Sequence, residues 1–259
     1  IRSRSHTAEE AISEVGSSWG GRQFITGPYI EFTKTVINQK EEQKKYLCVF
    51  PESFNADIDL TSSTLKRGIF KVPVYRSNVK AGGAFTFGEE VGNFLTPDTE
   101  ARLCLSLGDL KGLEDQADIL LGGQSLKFSN RVKTDRMSNQ NPELVALIPE
   151  GLLNGKDSIE YSLVLNLKGA ASFNVAPVGE TNVVKMTSDW PDPSFSGAFL
   201  PSERNVDDNG FSAVWKVNAL NRDYPQVCET SNVHSLTGSS LSGVGLIVLV
   251  SHNILWERA

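Results

Sequence analysis

The segment from residue 188 to residue 216 constrains the fold more than any other part of the chain, because prolines and large aromatic residues are concentrated in it. Pro191, Pro193 and Pro201 each fix φ and bias the preceding residue toward extended geometry, so no helix can run through the segment. Asp-Asn-Gly at 208–210 is typical of a turn, and the alternation that follows predicts a half-buried strand. We therefore expect an ordered loop, in extended and turned pieces, that leads into a strand.

Most of the remaining chain also has the pattern of short β-strands. Alternating or apolar segments punctuated by Gly, Asn and Pro occur at residues 29–37, 46–50, 54–60, 68–75, 101–107, 119–128, 158–167 and 172–178. The continuous apolar run at 243–250 predicts a buried strand. This pattern favours sheets packed face to face over parallel strands with crossover helices. The sequence predicts a mainly β fold with an antiparallel β-sandwich architecture, as one large or two abutting sandwiches. The charged run at 39–45 predicts an exposed hairpin connection, and Pro73 marks a strand edge or a bulge.

One short helix is predicted near the start of the chain. Thr7 and Glu10 have the spacing of a capping box. Apolar residues then recur at helical spacing, so one face should pack against the body; they are Ala8, Ala11, Ile12, Val15 and Trp19. The helix should end near the glycine pair at 20–21.

Length and charge limit the domain organisation and the partners. A chain of 259 residues suits one globular unit or two closely joined ones. Its net charge of −6 gives no basic footprint for nucleic acid, so we expect no nucleic-acid partner. Residues 130–142 are polar and lack periodicity, which predicts a linker and a possible sub-division there.

The chain contains three cysteines, Cys48, Cys104 and Cys228. An odd count allows at most one intramolecular disulfide, and the spacing does not decide whether one forms or between which residues. No Cys-x-x-Cys motif is present, so a zinc-ribbon or redox motif is not predicted. Cys48 and Cys104 lie in apolar, strand-like contexts, where a cysteine behaves as a small buried hydrophobic residue.

Motifs of catalysis are absent from the sequence. The three histidines have no metal-ligand spacing, and no nucleophile elbow, dinucleotide fingerprint or phosphate loop occurs. The sequence therefore predicts no catalytic residue, no metal site and no cofactor. A glycosidase-like carboxylate pair assembled from Asp189, Asp192 or Glu203 is an alternative, although short carboxylates beside prolines commonly form turns.

Five residues in or near the proline-aromatic segment are candidates for binding. Trp190, Phe195, Phe199 and Trp215 are rigid aromatics of the kind that anchors interfaces or stacks on sugars. Arg204 adds a cation beside them. The alternative is that the aromatics fold back and fill the core of the sandwich, with the arginine in a solvated ion pair.

Residues 188–201 read Ser-x-Trp-Pro-x-Pro-Ser-Phe-x-Gly-x-Phe-Leu-Pro, and residues 210–215 read Gly-Phe-x-Ala-x-Trp. This run closely resembles the signature of the CreD family of bacterial inner-membrane proteins. Further matching pieces are spread over nearly all of the chain, at residues 10–11, 19–20, 27–28, 67–70, 72–75, 121–126 and 257–259. The resemblance implies a large periplasmic domain between a first transmembrane helix and a later group of them, in a protein linked to envelope integrity that has no established catalytic activity.

The resemblance to the CreD family implies a function, partners and a topology for this chain. The whole chain, 1–259, would be a non-enzymatic extracytoplasmic domain that contacts its own transmembrane helices, the inner membrane, or an envelope protein or glycan. The N-terminal helix would either pack on the body or couple it to a preceding membrane span. The ends of the chain would emerge on one side, and the apolar run at 243–250 is too short for a bilayer. A carbohydrate-binding or carbohydrate-active β-sandwich that acts on envelope glycans is the alternative function.

Overall fold

Two β-sheets account for most of the structure, a computed structural model that describes residues 10, 13–38, 41–68, 70–115, 117–130, 143–221, 225–230 and 246–249. The strands are β1 (Gln23–Asn38), β2 (Glu41–Val49), β3 (Ser53–Arg67), β4 (Phe70–Thr86), β5 (Glu100–Ser106), β6 (Asp118–Leu121), β7 (Gln124–Lys127), β8 (Ser129–Asn130), β9 (Glu143–Leu147), β10 (Ser158–Ala170), β11 (Ser172–Val175), β12 (Thr181–Ser188), β13 (Ser194–Gly197), β14 (Glu203–Asp207), β15 (Gly210–Asn218), β16 (Val227–Thr230) and β17 (Leu246–Leu249). The helices are α1 (residues 13–19), α2 (Glu89–Phe94) and the short 3-10 turns Leu110–Gly112 and Ala219–Asn221.

The two sheets have different strand orders. The nine-stranded sheet runs β13-β17-β11-β1-β5-β9-β8, with β2 paired to both β1 and β16. The eight-stranded sheet runs β14-β15-β12-β3-β4-β10-β6-β7. Neighbouring strands are antiparallel except in two pairs, β1 with β11 and β12 with β3, which are parallel. The predicted mainly β, mainly antiparallel architecture is confirmed.

Alternation along the strands builds one hydrophobic core that contains residues of both sheets. In β3, Phe54, Ala56, Ile58 and Leu60 are buried, whereas the residues between them are exposed. Strand β10 alternates in the same way. Because side chains on a strand point alternately to opposite faces, each strand turns its apolar set toward the other sheet. Burial of each large apolar side chain stabilises the fold by about 1.5–3 kcal/mol.

The hairpin of β1 and β2 corrects one detail of the prediction. The charged run at 39–45 was expected to be a connection, but β2 already begins at Glu41, opposite Asn38 of β1. Residues 41–45 are all exposed, so the strand leaves its charged side chains in water on both faces. Strand β2 therefore begins at Glu41, five residues before the apolar pattern at 46–50 that predicts it.

Helix α1 packs against β4 and β10 of the eight-stranded sheet. Val15 and Trp19 of the predicted apolar stripe contact a small apolar cluster formed by Val72, Val74 and Ala170. The other residues of the stripe, Ala8, Ala11 and Ile12, lie outside the described residues. The helix ends at residue 19, and Gly20 follows with a φ of +138°. A Cβ at that position would lie 2.7 Å from the carbonyl oxygen of Lys168, so only glycine fits there.

The remaining predictions on the fold have mixed outcomes. Pro73 lies inside β4, opposite Thr64 of β3, where the register of β4 against β10 has already ended at Val74, so β4 is an edge strand at the proline. The apolar run 243–250 contains β17, which pairs with β11 and β13, and its other residues lie outside the described ones. The capping residue Thr7, the chain ends and residues 131–142 also lie outside them. Within the described ranges, the structure holds no helix long and apolar enough to span a bilayer.

Candidate functional site

The proline-aromatic segment joins the edges of the two sheets, and we call residues 189–207 the edge segment. Its strand β13 pairs with β17 at one end of the nine-stranded sheet, and its strand β14 pairs with β15 at one end of the eight-stranded sheet. The chain between them therefore crosses from one layer to the other. The following turn has Gly210 at a φ of +138°, where a Cβ would lie 2.0 Å from the Ser188 carbonyl oxygen. The edge segment thus closes one side of the sandwich.

Aromatic rings fill the gap beneath the edge segment. The Phe195 ring, on β13, lies 5.8 Å from the Trp215 ring and 5.5 Å from the Phe211 ring, both in edge-to-face geometry. The indole N–H of Trp215 donates to the Phe199 carbonyl oxygen at 3.3 Å. Only 1% of Trp215 is exposed, because it occupies an inward position of β15. Trp215 can therefore affect a binding surface only by supporting it.

Trp190 is held by the local loop and lies against the core. Its indole N–H donates to the Asp192 carbonyl oxygen at 2.7 Å, and its backbone N–H donates to the Ser188 hydroxyl at 3.1 Å. The side chain packs against the main core, and the residue is half-buried. The Asp189 carboxylate accepts the backbone N–H of Ser62 at 2.7 Å, which fixes the loop to β3. Pro191 and Pro193 therefore lie in a loop that these hydrogen bonds anchor.

Apolar side chains remain accessible along the edge segment, although Val206 lies opposite the buried Phe211 and therefore projects on the inner face of its sheet, at the open edge. Leu200 is 67% exposed and Val206 is 45% exposed, while Phe195 and Phe199 are half-buried. Arg204 lies between Leu200 and Val206 in sequence and is exposed on the terminal strand β14. We call these five residues the edge patch. Of the predicted binding residues, the structure brings Phe195, Phe199 and Arg204 to this surface.

The three carboxylates considered for catalysis serve other roles. Asp189 accepts a backbone hydrogen bond, and Asp192 is exposed in the turn. Glu203 pairs with Lys216 at 2.7 Å, and this hydrogen bond lowers the pKa of Glu203. A general acid of a glycosidase needs a raised pKa, which is the opposite shift. Among the residues whose placement is described, no group of three or more His, Cys, Asp or Glu is arranged to hold a metal.

A buried polar cluster lies on β1 and β9, and the sequence reading did not single it out. Tyr29, Glu31 and Glu143 are almost fully buried. The Tyr29 hydroxyl reaches across β5 and donates to the Glu143 carboxylate in a short hydrogen bond. The Thr33 hydroxyl lies 3.5 Å from the Glu31 carboxylate. A glutamate in the middle of an apolar strand pattern is the one signal that could have indicated this cluster.

Tyr29 is locked in its protonated form. Burial raises its pKa well above the ordinary value, and the neighbouring Cys104, Glu143 and Cys48 raise it further. The protonated hydroxyl is therefore a constant donor to Glu143 at any physiological pH. Because the hydroxyl is buried and cannot exchange its proton readily, the cluster suits a structural role, holding β1 and β9 together across β5.

The edge segment yields a prediction on stability. Replacing Trp190 or Phe199 with Ala should lower the free energy of unfolding by about 1–2 kcal/mol, because each ring is half-buried against the core. Replacing the exposed Asp192 with Ala should cost less than about 0.5 kcal/mol. Thermal melts of the three variants measure the difference. An unchanged melting temperature for Trp190→Ala, together with lost binding to an envelope partner, would show that the ring acts as a contact.

Comparison with known proteins places the chain in a family. The family described as "Inner membrane protein CreD" matches residues 1–259. The chain is also 26% identical over 219 residues to the inner membrane protein CreD of Escherichia coli K12, an alignment that covers 80% of this chain and 47% of that protein. It therefore spans about half the length of this curated relative. With a family match over its full length, the chain belongs to the CreD family of inner membrane proteins, as its motifs indicated.

Solved structures give only remote similarity. A mutant M1 zinc metallopeptidase from Deinococcus radiodurans is 12% identical, with a TM-score of 0.35, over 78% of this chain and 42% of that chain. A Legionella pneumophila protein described as nutrient binding is 7% identical, with a TM-score of 0.34, over 77% of this chain and 69% of that chain. Scores this low carry no functional information, so neither peptidase activity nor nutrient binding transfers to this chain.

Proposed function

We propose that this chain is a non-enzymatic, periplasmic domain of a bacterial CreD-family inner-membrane protein and that it supports cell-envelope integrity through contacts. Its contacts would be made with envelope components or with the transmembrane helices of the same protein. The family match over residues 1–259 supports the membrane setting. The alignment covers 47% of the relative, so more than half of that inner membrane protein lies outside the part that this chain matches.

The edge patch is the observation that carries this proposal. Leu200 and Val206 leave large apolar surface in water, and burial of such surface contributes about 25 cal/mol per Å² on association. Arg204 supplies a charge beside them, and arginine is enriched at interfaces. Within the patch, the rings of Phe195 and Phe199 pack against the main core and are held by it, so little conformational entropy is lost on binding.

The arrangement of the aromatic and acidic residues supports a role in contacts with partners over the binding or hydrolysis of glycans. A sugar platform needs an open aromatic face, whereas Trp215 is buried and Trp190 rests against the core. A glycosidase needs one carboxyl group with a raised pKa, and Glu203 has a lowered one. We therefore assign no catalytic residue, and we assign Trp190 and Trp215 to the support of the patch.

A site-specific crosslinking experiment tests the proposal. A photoreactive amino acid is placed at Leu200 of the full-length protein in native membranes, with Leu147 as a matched control. Leu147 is 69% exposed and lies on β9, toward the other end of the nine-stranded sheet. We expect irradiation at position 200, and not at position 147, to give a crosslink to a membrane helix of the protein or to one envelope protein identified by mass spectrometry.

A charge introduced into the apolar surface provides the second arm of this test. Val206→Asp should reduce the crosslink at position 200 at least several-fold and leave the melting temperature unchanged, because Val206 is nearly half-exposed. Equal crosslinking from positions 200 and 147, or none from position 200, would contradict the proposal. Protection of position 200 by an added glycan would favour the carbohydrate-binding alternative.

A further inference from the structure

Cys48 and Cys228 face each other across two neighbouring strands, although 179 residues lie between them in sequence. Strand β16 pairs antiparallel with β2, and the register places Cys228 directly opposite Cys48. Directly opposed residues in such a pair project their side chains from the same face of the sheet. Both residues carry thiols in the structure, as does Cys104.

The spacing of this pair suits a disulfide. The backbone N–H of Phe50 donates to the Gln226 carbonyl oxygen at 2.9 Å, which makes that row of the ladder a hydrogen-bonded one. Cys48 and Cys228 lie two residues farther along each strand, so their row is of the same kind. Opposed Cα atoms in such a row are about 5.5 Å apart, within the range found for disulfides. Their Cβ atoms lie at the wide end of the range for opposed pairs, about 5.5 Å against about 4.5 Å at most in a disulfide, so bond formation draws β16 about 1 Å closer to β2.

The third cysteine is too far away to compete. Cys104 lies on β5, opposite Tyr29 of β1, whereas Cys48 lies on β2, opposite Glu31. Because β5 and β2 flank β1 on opposite sides, their Cα atoms are separated by two strand spacings, about 9.6 Å. Cysteines with Cα atoms more than about 7 Å apart cannot be bridged without movement of the backbone.

We propose that Cys48 and Cys228 are an oxidation site that forms a cross-strand disulfide, with Cys228 as the entry point. Cys228 is partly exposed, whereas Cys48 is fully buried, so an external oxidant can reach only the former. Burial raises the pKa of Cys228, so the reaction should become faster as the pH rises. The bond would fix the end strand β16 to β2.

The oxidant is a small-molecule or protein disulfide. The Cys228 thiolate attacks one sulfur of the oxidant, forms a mixed disulfide and releases one thiol. The Cys48 thiolate then attacks the Cys228 sulfur of the mixed disulfide and releases the second thiol. The protein loses two hydrogen atoms and two electrons in total, and the oxidant is reduced to two thiols. Formation in the cell rests on the proposed periplasmic orientation, but the reaction of the purified chain does not.

Peptide mapping of the purified full chain tests this site. Trypsin cleavage places the cysteines on separate peptides, residues 46–66, 103–111 and 223–258. After incubation with oxidised glutathione and alkylation of the remaining thiols, we expect a linked 46–66/223–258 pair, about 2 Da lighter than the sum of its parts. The 103–111 peptide should be alkylated. A link that includes 103–111, or a Cys228 that stops at the glutathione adduct, would overturn the proposal.

Two variants complete the test. Cys228→Ser changes a partly exposed residue and should abolish the intramolecular link while the melting temperature of the reduced protein is retained. Cys104→Ala, the matched control, should leave the link intact. If Cys104→Ala fails to fold, the peptide map of the unmodified chain decides the assignment. Failure to form the link in the purified chain would refute this site and leave the proposed contact function unaffected.

Discussion

Replacing Trp215 with Ala lowers the free energy of unfolding by about 3–5 kcal/mol, the expected loss for truncation of a large buried aromatic. The Trp215 ring belongs to the eight-stranded sheet and contacts the Phe195 ring of the nine-stranded sheet. Its indole N–H also holds the carbonyl group of Phe199 in the connecting loop. Truncation therefore leaves a cavity between the layers and an unpaired carbonyl oxygen at the closure of the sandwich. Urea denaturation followed by far-UV dichroism measures the change.

A matched control separates burial from the loss of apolar side-chain atoms. Leu220 is 95% exposed, on the 3-10 turn directly after β15, and Leu220→Ala should change the free energy of unfolding by less than about 0.5 kcal/mol. A cost below about 1 kcal/mol for Trp215→Ala would show that the ring does not join the two layers. Crosslinking from position 200 should also weaken in the Trp215→Ala variant, because the surface then loses its support.

The strands and the closure of the sandwich were predictable because their signals are local. The alternation in β3 from Phe54 to Leu60 appears in the sequence with the same period as the burial in the structure. Three prolines likewise restrict the edge segment to extended pieces, and Asp-Asn-Gly at 208–210 makes the predicted turn, where the Asp207 carboxylate accepts the Asn209 N–H at 2.8 Å. The residues that carry the family resemblance are thus largely those that close the sandwich.

Pairings between distant strands were not predictable, because periodicity within a strand does not identify its neighbour. Strand β1 lies beside β11, which follows it by well over a hundred residues, and β12 lies beside β3. The same limit applies to Cys48 and Cys228. The sequence shows that both are cysteines, but their proximity depends on how β16 pairs with β2. The limit also applies to Tyr29 and Glu143, which no spacing rule connects.

Replacing Tyr29 with Phe lowers the free energy of unfolding by about 2–3 kcal/mol, although it removes a single oxygen atom. The lost hydroxyl is a donor to the buried Glu143 carboxylate, and hydrogen bonds to charged groups contribute more than neutral ones. The Glu143 side chain stays buried with one hydrogen-bond donor fewer, and a buried polar group that loses a partner is costly. Tyr46→Phe, at a half-buried position of β2, is the matched control and should cost less than about 1 kcal/mol.

The alkaline limb of the stability profile distinguishes this role of Tyr29 from simple packing. Burial raises its pKa in the folded state, so the folded protein resists an ionisation that the unfolded chain undergoes near pH 10. The resulting stabilisation is fully present below that pH and is lost as the pH rises above it. Tyr29→Phe removes this contribution, while the buried Tyr75 and Tyr161, whose pKa values burial also raises, retain theirs. Denaturation between pH 8 and pH 11 should therefore show a smaller alkaline loss in Tyr29→Phe than in the parent chain, and equal losses would mean that Tyr29 is accessible to hydroxide.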